Sequence, residues 1–427
     1  MPDGVDNLVK LVYRRLYGDH RSEEDYVALV KPELPALSRD VAELSRLYTR
    51  ERGGVNEALL GNPRLRRAYL SYFLPSNFRK IQAILQELWL HPESAEFIPR
   101  NLRVLDLGCG PGTNLLGFLG FLSMQKSPCE WVACTAVDSV DANLQDLRYL
   151  FDHWVRGWAR AADDDQASPP ANRLRAFLHT HRANIAATLR LQEGHSFDFI
   201  VLGNVLNELF PDAPRRIAKR GQLLTRVIES WLAPKGFVIL LEPALKKTSR
   251  DLLLLRDRLI DGLGLNVYSP CVHSCHCPAV APGQPSDWCH ESLNWQAPWL
   301  IREIDRRIGN RKTALKYSYV VLSRTKHSVR DAAQLCLPTS LKPDGQQTWR
   351  VVSEVMEERG KASVFLCGPR GRVKVAHLQK HVSETNEEFL YLNRGQVVMA
   401  GPLEIRSASD WRVKPASAVR ILMGRRQ

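Results

Sequence analysis

The sequence predicts an α/β protein built on a doubly wound sheet, with a helical region before the sheet and a cysteine-rich segment and a small β-rich region after it. Three observations carry this. The stretch Val104-Leu-Asp-Leu-Gly-Cys-Gly-Pro-Gly-Thr-Asn114 begins as a strand, breaks into glycines and runs into the helical Leu115-Leu-Gly-Phe-Leu-Gly-Phe-Leu122. Strand-like and helical runs alternate from 101 to 245. Past 345 the apolar runs become short and are divided by Gly, Pro and Asn.

Gly108, Gly110 and Gly112 let the backbone turn tightly and approach a ligand, because no Cβ stands in the way. A strand-to-helix turn of this kind is a small-molecule site in doubly wound sheets. The third glycine falls at 112 and not 113, so the dinucleotide pattern G-x-G-x-x-G is not met. With Asp106 two residues before the first glycine, the turn resembles the form found in S-adenosylmethionine (SAM) methyltransferases. That resemblance implies a cofactor bordered by Asp106, Gly108, Gly110 and Gly112.

A chain of 427 residues is expected to hold two or three domains. Hydrophobic and charged contents of 44% and 25% are those of a globular protein. The net charge of +13 argues for a polyanionic partner, most simply RNA. No apolar run reaches the roughly 18–20 residues that span a bilayer, so no membrane partner is expected. The opening Met-Pro-Asp-Gly-Val-Asp-Asn carries acids and no apolar core, unlike a secretory or transit peptide, and a cytoplasmic location is expected. Nine cysteines in such a chain favour metal or cluster ligation over disulfides wherever they crowd together.

Residues 1–98 read as a helical region. Leu8, Leu11, Val12 and Leu16 recur at helical spacing, as do Tyr69, Tyr72 and Phe73, then Ile81, Ile84, Leu85 and Leu88. Ser76-Asn77 is expected to cap the helix that leads into the sheet. Basic residues alternate with aromatics over Arg64–Phe73; a packed aromatic face with solvated arginines is favoured there over an RNA-facing surface.

Residues 99–265 read as the cofactor domain. After the glycine turn, Trp131–Val137 is the second strand, ending at Asp138, where an acid suits the ribose hydroxyls of a nucleoside. A capping role for Asp138 is the alternative. A helix is expected over Leu144–Trp158, then a polar surface loop over Ala161–Pro170. A third strand ends near Ala183-Asn184, with Asn184 placed either to meet an adenine edge or to make a turn. Phe197–Gly203 reads as a buried fourth strand that delivers Asn204, Asn207 and Glu208 to the ligand rim, or to a helix cap. Gly236–Glu242 is the fifth strand, with Glu242 on the same rim. A helix over Thr248–Leu263 follows.

Residues 266–340 hold the cysteine-rich segment and a last strand. Cys271, Cys275, Cys277 and Cys289, with His273, His276 and His290, lie among Pro, Gly and Ser, a loop composition that needs something other than a core to hold it. Zinc would use Cys271, Cys275 or Cys277, and Cys289, but Cys275-x-Cys277 is tighter than the spacing of zinc knuckles. An iron–sulfur cluster tolerates irregular spacing. The radical-SAM loop C-x3-C-x2-C is not matched.

With these motifs the chain resembles the methyltransferase-like proteins of the small ribosomal subunit, known as mitochondrial ribosome assembly factors with bacterial relatives. The signs are Ala68-Tyr-Leu-Ser-Tyr-Phe-Leu-Pro75, Asp106–Gly112, Val205-Leu-Asn-Glu-Leu209, Leu241-Glu-Pro243, Pro270-Cys-Val-His273 with Cys277-Pro278, Asp287-Trp-Cys-His290 and Tyr317–Arg324. The resemblance implies a Rossmann-like SAM-dependent methyltransferase fold, SAM as cofactor, a 4Fe-4S cluster (zinc being the alternative) and the small ribosomal subunit with its rRNA as partner. It selects Cys271, Cys277, Cys289 and Cys367 as cluster ligands. Cys275 is then an extra thiol, with the option of replacing Cys367.

Residues 341–427 read as a β-rich domain, an OB-like barrel, with strands over Ala362–Leu366, Phe389–Leu392, Gln396–Met399 and Ala418–Met423. Its Arg370, Arg372, Lys374 and Arg425-Arg426 are expected to favour phosphate contacts. The expected function is a SAM-binding protein acting on, or docking to, small-subunit rRNA, with Asn207 and Glu208 orienting the acceptor. The rival is a non-catalytic assembly factor that uses the same fold as a scaffold.

Overall fold

The computed structural model describes residues 4–19, 22–49, 61–125, 129–164, 174–187, 189, 191, 196–211, 213–337 and 346–424. Two compact units emerge. One comprises Met1–Gln86, Ile98–Ala233 and Leu293–Leu315; the other comprises Glu87–Phe97, Pro234–Ser292 and Lys316–Gln427. Each unit gathers stretches that lie far apart in chain order.

In the first unit the helical region forms as its periodicity predicts, over Val5–Tyr17, Glu23–Val30, Leu34–Thr49 and Pro63–Ala68. A Ser22–Asp25 capping box starts the second of these. Leu37, Val41 and Leu44 make one buried stripe, which packs with Leu65, Tyr72, Leu300, Ile301 and Ile304. The arginines between the aromatics all meet acids: Arg64 bonds Asp40 at 3.0 Å, Arg66 pairs with Asp146 at 3.2 Å and Arg67 bonds Glu33 at 2.8 Å. This is the packed-aromatic arrangement. The expected cap at Ser76-Asn77 is not there. A π-helical turn over Tyr69–Phe73 runs directly into the Leu74–Trp89 helix, and the Ser76 hydroxyl donates back to the Tyr72 carbonyl at 2.8 Å inside it.

Four strands of this unit lie in the order β3-β2-β1-β4. They are β1 (Asn101–Leu107), β2 (Trp131–Asp138), β3 (Arg175–Arg182) and β4 (Phe197–Gly203). β1 pairs in parallel with β2 on one side and with β4 on the other. The chain thus leaves the carboxyl end of β1 where the winding reverses, which is where such sheets open a crevice. The helix after β2 is longer than expected, Asp141–Asp164, and takes in the first residues of the predicted polar loop. Residues 165–170 of that loop lie outside the described residues.

The second unit contains an antiparallel set and a separate β-rich sheet. In the first, β8 (Ala314–Ser323) pairs antiparallel with β5 (Leu232–Pro243) and with β6 (Asn266–Ser269). The Lys246–Leu263 helix joins β5 to β6. The second sheet comprises β9 (Gln347–Val351), β10 (Met356–Glu358), β11 (Lys361–Gly368), β12 (Gly371–Leu378), β13 (Val397–Gly401), β14 (Glu404–Ile405), β15 (Asp410–Val413) and β16 (Ala418–Met423). Its order is β14-β15-β12-β11-β9-β13-β16, with β10 on β11.

Two expectations for this region are corrected. Phe389–Leu392 is not a strand: Glu387–Tyr391 is a 3-10 turn whose Phe389 plugs the sheet's core. The sheet is also not a closed barrel, since among the described residues the ladder ends at β14 and β16. Arg425-Arg426 lie outside the described residues. Trp349 and Trp411 meet edge to face, 5.5 Å between ring centroids, at the centre of this core. Replacing Trp349 by Ala removes the largest fully buried side chain among the described residues. The expected cost is about 3–5 kcal/mol, read as a lowered denaturant midpoint.

Candidate functional site

At the carboxyl end of β1 the chain turns through three left-handed residues: Gly108, Gly110 and Gly112 have φ of 70°, 53° and 88°. Their reasons differ. A Cβ on Gly108 would lie 2.4 Å from Val205 Cγ2, and one on Gly112 would lie 2.2 Å from Leu147 Cδ1. At those two positions the protein itself fills the space. A Cβ on Gly110 would meet nothing within 4 Å. Gly110 is the member of the three that faces open space, as a backbone meant for a ligand must.

Asp138 holds this turn from the end of β2. Its Oδ2 accepts the Gly110 amide at 2.8 Å, while Oδ1 accepts the Val140 amide at 2.9 Å and Asn143 Nδ2 at 3.2 Å. The bond to the Val140 amide, two residues on, is an Asx turn that leads into the Asp141–Asp164 helix. Asp106 lies beneath the turn, fully buried. Burial, with a smaller push from the Asp138 charge, raises its carboxyl to about 7, against the opposing hydrogen bond of Asn114. Asn114 in turn packs on β4: a Cβ on Gly203 would lie 2.4 Å from its Nδ2.

Across the crevice, Asn204–Phe210 follows β4. Asn204 and Phe210 are both left-handed, at φ of 60° and 53°. Such a conformation costs a non-glycine residue energy and gathers at functional loops. Asn207 Nδ2 donates to the Asn204 carbonyl at 3.0 Å, and Glu208 is exposed. Arg220 fixes the loop from behind, donating to the Leu209 carbonyl at 2.8 Å and the Asn207 carbonyl at 3.2 Å. Sequence reading misses Arg220 and Phe210; neither a lone helical arginine nor a phenylalanine carries a mark of backbone clamping or strain. Asn184 is exposed, and its Oδ1 accepts the Ala186 amide at 2.9 Å in an Asx turn. Glu242 is buried near the end of β5, in the second unit.

The second unit holds the cysteines. Cys271, Cys277, Cys289 and Cys367 all line one cavity of about 700 Å³, open mouth included, while Cys275 is exposed and does not line it. Cys367 stands on β11, close enough for His273 Nε2 to lie 3.8 Å from its sulfur. Burial raises the Cys277 and Cys289 thiols to about 12, and Cys367 well upward too. The other cavity cysteines push in the same direction, because thiolates this close repel.

Arginines, not a core, shape the loops around the cavity. Arg256, wholly buried on the Lys246–Leu263 helix, donates to the carbonyls of His273 and Cys275, each at 2.9 Å. Its neighbour Asp257 accepts the Cys277 amide at 2.9 Å. Arg250 donates to the carbonyls of Ala279 and Gln284, each at 2.8 Å, and to that of Asp287 at 2.5 Å. Arg372, expected to serve phosphates, instead bonds Asp287 and stands over the Phe365 ring on the cavity wall.

The sequence profile of a ribosomal family, described as mitochondrial small ribosomal subunit Rsm22, matches residues 166–393, more than half of the chain. The chain belongs to the Rsm22 family. No curated protein matches the sequence. Among solved structures, the chain is similar to three methyltransferases. The SAM-bound amino pentose methyltransferase CalS10 from Micromonospora echinaspora is 19% identical, over 38% of this chain and 50% of that one, TM-score 0.23. Magnesium protoporphyrin IX methyltransferase from Synechocystis PCC 6803 is 11% identical, over 67% and 97%, TM-score 0.30. TrmN from Thermus thermophilus is 17% identical, over 60% and 53%, TM-score 0.30. The chain thus spans about half the length of CalS10 and of TrmN. The Rossmann-like methyltransferase fold is carried by the strand order and the glycine turn at its switch point. Among the described residues, no helix is long and apolar enough to cross a membrane.

The raised Asp106 carboxyl makes a pH prediction. In the unfolded chain this group ionises near 4, in the folded one at about 7. The folded state therefore holds the extra proton between those values, and the stability it contributes at low pH is lost as pH rises through about 7. Asp106→Asn is expected to flatten the fall in unfolding free energy between pH 5 and pH 8 relative to the unaltered chain, by on the order of a few kcal/mol, read from denaturant titrations.

Proposed function

We propose that this Rsm22-family chain is a SAM-binding methyltransferase-fold protein that acts on, or docks to, small-subunit ribosomal RNA. The observation that carries the reading is Gly110: a left-handed glycine at the switch point, with open space where its side chain would stand and an acid at the end of the next strand. SAM, when bound, supplies an electrophilic methyl group. The protein's part is placement, and methyl transfer depends on aligning the acceptor with that methyl more than on any single acid or base. Asp138, which accepts the Gly110 and Val140 amides and Asn143 Nδ2, stands at the end of β2, where an acid suits the ribose hydroxyls of a nucleoside. Asn184, its Oδ1 already used in the turn, offers Nδ2 to an adenine edge. Asn204, Asn207 and Glu208 face the acceptor side on a loop that Arg220 holds still. Family membership and the net charge of +13 support RNA as the partner.

We also propose that Cys271, Cys277, Cys289 and Cys367 hold a 4Fe-4S cluster. The donor set fits: four thiols line one cavity, and the repulsion among their thiolates is relieved by a cationic centre. Arg256 and Arg372 line the same cavity and offset the negative charge that four thiolates bring.

Gly110→Val is expected to abolish binding of S-adenosylhomocysteine in calorimetry while the far-ultraviolet spectrum stays that of the folded chain. Unimpaired binding would remove the cofactor assignment. Transfer of labelled methyl from SAM to small-subunit RNA separates an enzyme from a scaffold; tight cofactor binding with no transfer would favour the non-catalytic assembly factor.

For the cysteines, protein purified without oxygen is expected to carry about four irons per chain with acid-labile sulfide. Cys277→Ser is expected to lose them and Cys275→Ser to keep them. Full metal content in Cys277→Ser would overturn the ligand set, and stoichiometric zinc without colour would replace the cluster by a structural zinc site.

A further inference from the structure

The helical region places an aromatic wall beside the glycine turn. Tyr48 meets Phe73 edge to face at 5.4 Å and Tyr69 at 6.5 Å, and Tyr69 stacks on Phe73 at 6.0 Å. Two of the three belong to the π-helical turn Tyr69–Phe73, a distortion that recurs at functional sites. All three are only partly buried. The Tyr69 hydroxyl shares a 3.2 Å hydrogen bond with Thr113 Oγ1, the residue that follows Gly112. Burial raises the Tyr48 and Tyr69 hydroxyls, and the charge of Glu208 raises both further, so the wall lies within electrostatic reach of the loop after β4.

Two lysines stand by Ser76 and Asn77, in the helix that follows the π-helical turn. Lys80 Nζ donates to Asn77 Oδ1 at 2.8 Å; Lys312 Nζ lies 3.4 Å from Ser76 Oγ, 4.1 Å from the centre of the Tyr72 ring and 5.6 Å from that of Phe73. Both are half-buried. Burial, then the charge of Lys312, lowers Lys80 to about 7, and burial lowers Lys312 to about 8. The acid beside Lys312 is Asp305, and its oxygens are already engaged. Oδ1 accepts the Tyr72 hydroxyl at 2.5 Å and Oδ2 accepts the Lys312 amide at 3.0 Å. Lys80 and Lys312 lie close enough to repel each other, and an anion seated against them would favour the ammonium form of both.

We propose that the wall of Tyr48, Tyr69 and Phe73, with Lys80 and Lys312, is the subsite for one unstacked nucleotide of the acceptor strand: its base lies on the aromatic face and its phosphate lies against the lysine pair. Single-stranded RNA offers this combination, because a base leaves its stack only where the strand is unpaired, and base–aromatic stacking does not depend on which base it is. The subsite rests on the reading of RNA as the acceptor.

The test titrates a short labelled single-stranded RNA by fluorescence anisotropy against the full chain at several salt concentrations, and S-adenosylhomocysteine separately by calorimetry. In Lys80→Gln/Lys312→Gln, RNA affinity is expected to fall about tenfold, and the slope of log affinity against log salt is expected to shrink by about 0.7 for each phosphate that the lysines no longer neutralise. In Phe73→Leu affinity is expected to fall about tenfold with the slope unchanged. Cofactor affinity is expected to hold in both, and Lys80→Arg/Lys312→Arg is expected to restore RNA binding. Variants that keep wild-type RNA affinity would overturn the subsite. So would variants that lose cofactor and RNA binding together, since that marks a structural role. An unaltered chain that binds S-adenosylhomocysteine but no RNA would remove the RNA reading itself.

Discussion

Asp138 closes the glycine turn from the neighbouring strand, and the first unit's crevice depends on that contact. One carboxylate accepts the Gly110 amide on one oxygen, and the Val140 amide and Asn143 on the other. It therefore ties the loop after β1 to the start of the helix after β2. It works with the Gly108 and Cys109 amides, which donate to the Val137 carbonyl at 2.8 and 3.0 Å, to order three left-handed residues in five, and glycine gives up the most backbone entropy on ordering. The same geometry explains why the turn can be both tight and open. Val205 and Leu147 press on Gly108 and Gly112 from the protein side, so the backbone at Gly110 is pushed toward the crevice with nothing of its own in front of it.

The cysteine loops obey a different rule. They have little apolar packing of their own: Cys277 sits in a small cluster with Leu253 and Ala279, joined at its edge by Val280 and Cys289. What orders them is a set of guanidinium groups that collect backbone carbonyls. Arg250 and Arg256 reach from the Lys246–Leu263 helix, and Arg394 reaches the His290 and Val352 carbonyls at 3.1 and 2.6 Å. A planar donor fork is suited to this, since one side chain meets several acceptors at once. Deeper in the same unit, Arg350 joins Glu87 at 2.7 Å and Glu291 at 3.1 Å, a charge pairing that a buried guanidinium requires. The thiols are left to face inward on a frame that does not depend on sulfur for its shape.

Much of this is legible in the sequence, for reasons that name its limits. The glycine turn, β1, β2, β4 and β5 read correctly because short apolar runs bounded by turn residues are local signals. The clamp of Arg220 on the Asn207 and Leu209 carbonyls, and those of Arg250 and Arg256, do not read at all, because a helical arginine looks the same whether it faces water or a distant loop. A helix start at Ser76 misleads for a related reason: a Ser-Asn pair after proline signals a cap, but Tyr72 packs with Leu300, Ile301 and Ile304 of the Trp299–Ile308 helix and the chain runs through in one piece. Phe389 reads as a strand residue because an aromatic in a short apolar run favours a strand, whereas here it closes the core from a single turn.

These internal clamps change what the basic composition means. A net charge of +13 invites the picture of a uniformly cationic surface. Yet Arg66, Arg220, Arg256 and Arg350 are spent on carboxylates and carbonyls within the fold, and Arg372 on Asp287. A guanidinium already meeting two or three acceptors has few donors left for a phosphate. Lysines, by contrast, make point contacts that leave most of the ammonium available. On the reading proposed above, a polyanion would meet the lysine pair of Lys80 and Lys312 more readily than these internally engaged arginines.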